Sequence, residues 1–165
     1  MKKKQSIAFE HFLEKFPEIE LPVTLGADTH HTFSENNEPL PALMIQQFIT
    51  NIEGEEVDEF TEYIPCFRVP DTPDFHAIVY WKASLLQYEY TLLTFTKKGA
   101  IIDKKGIAGT KAKGKVLAQS VATIDDDWII HIVGGVASTD KDYDPTSSQM
   151  LKLELHPTGQ ILPMN

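Results

Sequence analysis

Short polar links separate the β-rich segments of the C-terminal two thirds of the chain, and this spacing constrains the fold more than any other feature. The links carry turn sequences such as Lys98-Gly99, Lys113-Gly114 and Asp125-Asp126-Asp127, which are typical of connections between strands. Parallel strands need a crossover of a dozen or more residues, and links of this length cannot supply one. We therefore expect consecutive strands to be antiparallel neighbours in a meander.

The strands themselves are predicted from runs of aromatic and β-branched residues that end at these links. They are expected at residues 20–25, 63–69, 75–82, 88–96, 100–103, 116–124, 128–136, 150–156 and 160–162.

The N-terminal third shows helical spacing instead. Its apolar residues recur at intervals of three and four in two places: Phe9, Phe12, Leu13 and Phe16, then Leu40, Leu43, Met44, Phe48 and Ile52. Residues 26–39 between them are polar and predict a loop. The expected fold is α+β, with two N-terminal amphipathic helices packed on a curved, mostly antiparallel meander sheet.

Length and composition predict one domain over residues 1–165. A chain of 165 residues with 42% hydrophobic content can bury a core without metals or disulfides, and the single Cys66 cannot form an internal disulfide. Charged residues from Glu10 onward interrupt the apolar run that a signal peptide needs, and no run of about 18 apolar residues occurs. We expect a cytoplasmic protein that is not integral to a membrane.

The net charge of −9 opposes generic binding to nucleic acid, because such binding requires basic residues that neutralise phosphates. Arg68 is the only arginine. The lysines between Lys97 and Lys115 could contact an acidic partner, but solvated turns and protected sheet edges explain them better. We therefore expect no nucleic acid as a partner.

Three motifs resemble ligand sites and lack essential residues. Gly109–Val116 matches a phosphate-binding loop up to its last position, where Val116 replaces the hydroxyl residue that binds magnesium. Asp140–Asp144 begins like a calcium loop, but Pro145 follows where glycine is needed. The adjacent His30 and His31 lack a second ligand pair at metal-binding spacing. The sequence predicts no cofactor and no metal site.

A binding function without catalysis has the least evidence against it, because Cys66 has no neighbouring base and no hydrolase elbow occurs. The first hypothesis is a protein-interaction domain that meets a basic partner. It would use the acidic segment 53–62, with Glu55, Glu56, Asp58, Glu59 and Phe60 as the contact residues.

The alternative hypothesis is a small-molecule-binding protein or small enzyme. Alternation along the strands places His76 with Tyr80 on one face, Tyr88 with Tyr90 on one face of the next strand, and His131 between apolar residues of a later strand. If these faces met, a pocket on the sheet would be lined by His76, Tyr80, Tyr90 and His131. A filled core with polar groups at its rim is the competing interpretation.

Overall fold

The computed structural model of the protein describes residues 7–54, 60–85, 87–138 and 148–164, with the side chains of residues 113, 137 and 138 left out. Within these ranges the chain is rich in β-structure and has few helices. The helical segments are α1 (Phe9–Glu14), α2 (Thr29–Asn36) and α3 (Ala42–Ile45), and α3 continues as a π-helical segment (Gln46–Thr50) and a final turn, α4 (Asn51–Glu53). The strands are β1 (Val23–Leu25), β2 (Glu62–Arg68), β3 (Phe75–Ser84), β4 (Gln87–Thr96), β5 (Ile101–Lys113), β6 (Val116–Ile124), β7 (Ile129–Ser138), β8 (Gln149–Leu155) and β9 (Ile161–Pro163).

Strands β2 to β9 form an antiparallel sheet in sequence order, and β1 pairs with β6. The antiparallel sheet predicted from the short links is confirmed. The sheet divides between β5 and β6, because β5 pairs with the first half of β6 through Gly109–Lys113, whereas β1 pairs with residues 122–124 of β6. At this division the chain leaves β1 at Gly26 and passes to α2.

Strand β5 is much longer than the predicted segment 100–103, and this is a correction. Lys104, Lys105 and Lys111 lie within the strand and not in turns. The sequence was misleading because two glycines interrupt the strand pattern, and both are required by close packing. A Cβ atom at Gly106 would lie 2.6 Å from the Glu89 carboxyl carbon, and one at Gly109 would overlap the Tyr88 carbonyl oxygen.

The loop predicted for residues 26–39 contains helix α2, which is a second correction. Phe33 is its one buried apolar residue, so helical periodicity gave no signal there. Tertiary contacts hold the helix: Phe33 packs 5.8 Å from the Phe67 ring, and Asn37 Nδ2 donates to Pro65 O at 2.7 Å and to Cys66 O at 2.8 Å. The helix thus lies beside β2, the first strand of the sheet, and shields that edge.

The second predicted helix is present but contains a π-helical segment. It buries Met44, Phe48 and Ile49, whereas Leu43, which the sequence placed on the apolar face, is 65% exposed. The extra residue in a π-helical turn rotates the residues that follow it relative to those before it, so a single α-helical stripe did not describe this segment.

Buried side chains form two clusters on opposite sides of β3 and β4. One joins α1 and the helix at residues 42–53 to Tyr63, Ile78, Tyr80, Leu93 and Phe95. The other joins Val79, Trp81, Tyr90 and Leu92 to side chains of α2, β1 and the later strands.

Thr94 Oγ1 donates to Gly159 O at 2.7 Å, and Ile161 N donates to Asp103 Oδ2 at 2.8 Å, so the β8–β9 turn lies against β4 and β5.

A buried carboxylate connects the end of the helical region to the sheet. The Glu53 side chain is only 8% exposed and accepts hydrogen bonds from Lys82 Nζ at 3.0 Å, Lys104 Nζ at 3.4 Å and Tyr63 OH at 3.3 Å. Burial and then the Glu53 carboxylate raise the pKa of Tyr63 to about 12, so this phenol stays a hydrogen-bond donor.

None of the helices in the described ranges is long and apolar enough to cross a membrane.

Replacing Glu53 tests this connection. In Glu53→Gln the two ammonium groups lose their shared counter-charge, and we expect the free energy of unfolding to fall by about 1–3 kcal/mol in urea titrations. Glu38→Gln is the control, because the exposed Glu38–Lys15 pair should contribute nothing measurable. Equal stability of the two variants would contradict a structural role for Glu53.

Candidate functional site

A cavity of about 450 Å³ lies where the sheet divides, between residues 26–30 and strands β3 to β6. We call it the aromatic cavity. Its lining contains no charged side chain and consists of Gly26, Ala27, His30, Trp81, Tyr88, Tyr90, Gly109, Thr110, Gln119, Ser120 and Val121.

Parallel aromatic rings form one wall of the aromatic cavity. His30 stacks on Trp81 with ring centroids 4.1 Å apart and planes 1° from parallel, and Tyr88 lies 5.7 Å from Trp81 at 6°. The register explains the arrangement. Trp81 pairs with Tyr90, and Tyr88 lies two residues earlier on the same face of β4.

The segment over the cavity is fixed by the phenol of Tyr90. Its OH donates to Gly26 O at 2.9 Å, and Gly26 N donates to Thr29 Oγ1 at 2.9 Å. Tyr90 is 2% exposed, and burial raises the pKa of its phenol, which therefore remains protonated and able to donate. The cover of the cavity thus has a defined position relative to β4.

Polar groups are few and uncharged at neutral pH. Thr110, Gln119 and Ser120 contribute them from β5 and β6, and His30 Nδ1 is buried without a hydrogen-bond partner in the part of the chain that the structure describes. Burial, followed by the neighbouring His31, lowers the pKa of His30 from 6.5. The site can therefore offer aromatic surface and a small number of neutral hydrogen-bonding groups.

The four residues predicted to share a pocket do not meet, which corrects that part of the prediction. Tyr80 faces the helices and is fully buried, whereas Tyr90 lies in the cluster on the opposite side. The register decides this: Tyr90 is opposite Trp81, the neighbour of Tyr80, and neighbouring residues in a strand point to opposite faces. Of the four predicted residues, only Tyr90 lines the aromatic cavity.

The two histidines of the predicted set lie elsewhere. His76 borders a shallow depression with Arg68 and Lys97, where burial and then these two cations lower its pKa. His131 lies in β7, and its Nε2 is 2.9 Å from Oδ2 of Asp125, which lies in the β6–β7 connection. Asp125 also accepts from the backbone N–H groups of Asp127 and Ile129, as expected of a turn residue.

The other sequence hypotheses meet the structure only in part. Glu55, Glu56, Asp58 and Glu59 and the aspartates of 140–144 lie outside the described residues, and Phe60 is 81% exposed. The protein-partner hypothesis stays a prediction.

Gly109–Val116 spans the end of β5, a turn and the start of β6, so the phosphate-loop match lacks its helix. Cys66 is fully buried, and burial raises the pKa of its thiol.

Of the residues that line the aromatic cavity, the sequence pattern pointed to Tyr88 and Tyr90 but not to the rings of His30 and Trp81. The sequence indicates a role for His30 only as a metal ligand in a loop, and it carries no local signal for Trp81. The pairing of Tyr88 and Tyr90 on one face of a strand was a correct signal. The sequence did not give the register between β3 and β4, which pairs Trp81 with Tyr90 and so places Trp81 on the same face.

Comparison with known proteins gives no relative: no family model, no curated protein and no solved structure matches the chain. Its function must therefore be argued from its own residues.

Removing the Tyr90 hydroxyl tests how the cover is held. Tyr90→Phe leaves Gly26 O without its donor, and we expect a loss of about 1 kcal/mol in the free energy of unfolding. Tyr88→Phe is the matched control, because Tyr88 lines the same cavity but is 48% exposed and should tolerate the change. Urea denaturation measures both, and a Tyr90→Phe variant as stable as the control would show that the hydroxyl does not fix the cover.

The lowered pKa of His30 predicts a pH dependence. Because the unfolded chain binds a proton on this imidazole at higher pH than the folded protein does, stability should fall as the pH drops through and below 6.5. An NMR titration should place the His30 midpoint below 6.5, and His30→Gln should reduce the loss of stability on acidification. A midpoint at or above 6.5 would contradict the stacked, partly buried state of this ring.

Proposed function

We propose that the protein is a non-catalytic binding protein and that the aromatic cavity holds a small, uncharged and largely apolar ligand or ligand segment. The observation that carries the proposal is the cavity itself. A volume of about 450 Å³ lies within the range of small-molecule sites.

The composition of the lining supports binding over catalysis. No carboxylate, ammonium, guanidinium or thiol lines the cavity. Its titratable groups are His30 and the phenols of Tyr88 and Tyr90, and the Tyr90 OH is already engaged with Gly26 O, which favours binding over acid–base chemistry. Stacked rings with a few hydroxyl and amide groups favour recognition by apolar contact, with polar groups that set orientation.

The packing behind β3 and β4 supports a stable wall for such a site. Phe12 and Phe48 stack at 4.5 Å, and both belong to the cluster that contains Tyr80 and Leu93. As part of the proposal, the two N-terminal helices back a curved sheet, so that the opposite face of β3 and β4 presents Trp81 and Tyr90 in fixed positions. Preformed walls reduce the conformational entropy that a ligand must overcome on binding.

Filling the cavity tests the proposal. Binding of the neutral fluorescent probe N-phenylnaphthylamine is measured from its emission and from quenching of tryptophan fluorescence. We expect Val121→Trp to reduce probe affinity by about tenfold or more, because the larger side chain occupies the site.

Val116→Trp is the control for this experiment. Val116 lies in the same strand, is 44% exposed compared with 42% for Val121, and does not line the cavity. If the wild-type protein fails to bind the probe, or if both variants weaken it equally, the aromatic cavity is not the binding site.

A further inference from the structure

A row of apolar side chains leads out of the aromatic cavity across three strands. Val121 lines the cavity and pairs with Val133 of β7, which in turn pairs with Met150 of β8. Directly opposed residues of an antiparallel ladder point to the same face of the sheet. The three side chains are therefore neighbours on one face, and we call them the apolar track.

Exposure increases along this path. Tyr90 and Trp81 inside the cavity are 2% and 6% exposed, whereas Val121, Val133 and Met150 are 42%, 49% and 79% exposed. Single exposed apolar residues are common on protein surfaces. Three of them in register and continuous with a cavity form a connected apolar surface, which is typical of a binding site.

The length of the path favours an elongated ligand. From Val121 on β6 to Met150 on β8 there are two interstrand spacings of about 4.8 Å, so the apolar track extends about 10 Å beyond the cavity. A compact ring system would fill the cavity and leave the apolar track uncovered, whereas a flexible chain would contact both.

A cation lies at the outer end of the apolar track. Lys152 follows Met150 by two residues in β8, so it projects from the same face. It is exposed and forms no ion pair with any residue in the described ranges. Its cross-strand neighbour His131 is bonded to Asp125, and the next acidic group on this face of β8, Glu154, lies two residues farther from the track.

We propose that the ligand is a long-chain carboxylate, an inference that rests on the proposed function of the aromatic cavity. Its apolar end occupies the uncharged cavity, its chain lies on Val121 and Val133, and its carboxylate reaches the ammonium group of Lys152. Apolar burial at one end and charge pairing at the other set its direction.

The test compares octanoate, dodecanoate and hexadecanoate, each below its micelle concentration, by calorimetry and tryptophan fluorescence on the full chain. Each methylene that reaches the track should tighten Kd by up to about fourfold, so hexadecanoate should bind far more tightly than octanoate. Hexadecanol should bind more weakly than hexadecanoate because it lacks the charge that faces Lys152.

Two variants locate the ligand on the track. Met150→Asp should weaken hexadecanoate by about tenfold or more through lost apolar contact and an added negative charge, and Lys152→Gln should weaken it by about two- to fivefold. Octanoate, which does not reach either residue, should be unaffected. Leu43→Asp and Lys98→Gln are the controls, because both residues are exposed and lie away from the cavity.

The neutral probe N-phenylnaphthylamine is measured in parallel to separate this inference from the proposed function. The long-chain ligand is overturned if the probe binds but fatty-acid affinity does not depend on chain length, or if Met150→Asp does not weaken hexadecanoate. The cavity then stays a site for compact molecules. Equal affinity for hexadecanol and hexadecanoate overturns the carboxylate assignment. Failure of both the probe and the fatty acids overturns both proposals.

Discussion

Strands β3 and β4 bury side chains on both of their faces, with an unbroken buried run from Ala77 to Trp81 in one strand and from Tyr90 to Phe95 in the other. Ile78 and Tyr80 belong to a cluster with buried side chains of the segments at residues 9–16 and 40–49. Val79 and Trp81 require a second cover, which comes from α2, β1 and the later strands. Because apolar burial is the main favourable contribution to folding, the rest of the chain is arranged around this hairpin.

The aromatic cavity lies where the second cover changes from strand β1 to the segment that leads into helix α2. Strand β5 pairs with β6 only from Gly109 to Lys113. Strand β1 pairs with β6 as far as Ala122, and residues 26–30, which follow β1, lie over Trp81. This segment lines the cavity with Gly26, Ala27 and His30, and of these only His30 stacks on Trp81, so space remains between the segment and strands β5 and β6. The hydrogen bond from Tyr90 to Gly26 and the stacking of His30 on Trp81 hold residues 26–30 in place. The same division of the sheet opens the cavity toward Val121 and the apolar track.

The sequence predicted the strands well because their alternation and turn residues are local signals. It placed β6 at its observed bounds and paired Tyr88 and Tyr90 on one face. It shortened β5, because the glycines that allow Glu89 and Tyr88 to approach the strand look like turn residues. It missed α2, because Phe33 and Asn37 stabilise that helix through contacts with β2 about thirty residues away in the chain.

The sequence by itself determined an acidic, sheet-rich chain whose consecutive strands must pair antiparallel, since short links permit no other connection. Only the tertiary structure decided which aromatic residues meet. A shift of one residue in the pairing of two strands exchanges their faces, so Tyr80 and Tyr90 could be assigned to a common pocket until the pairing of Trp81 with Tyr90 separated them. The stacking of His30 from a distant segment on Trp81 likewise depends on where the folded chain brings that segment, and local sequence carries no signal for it.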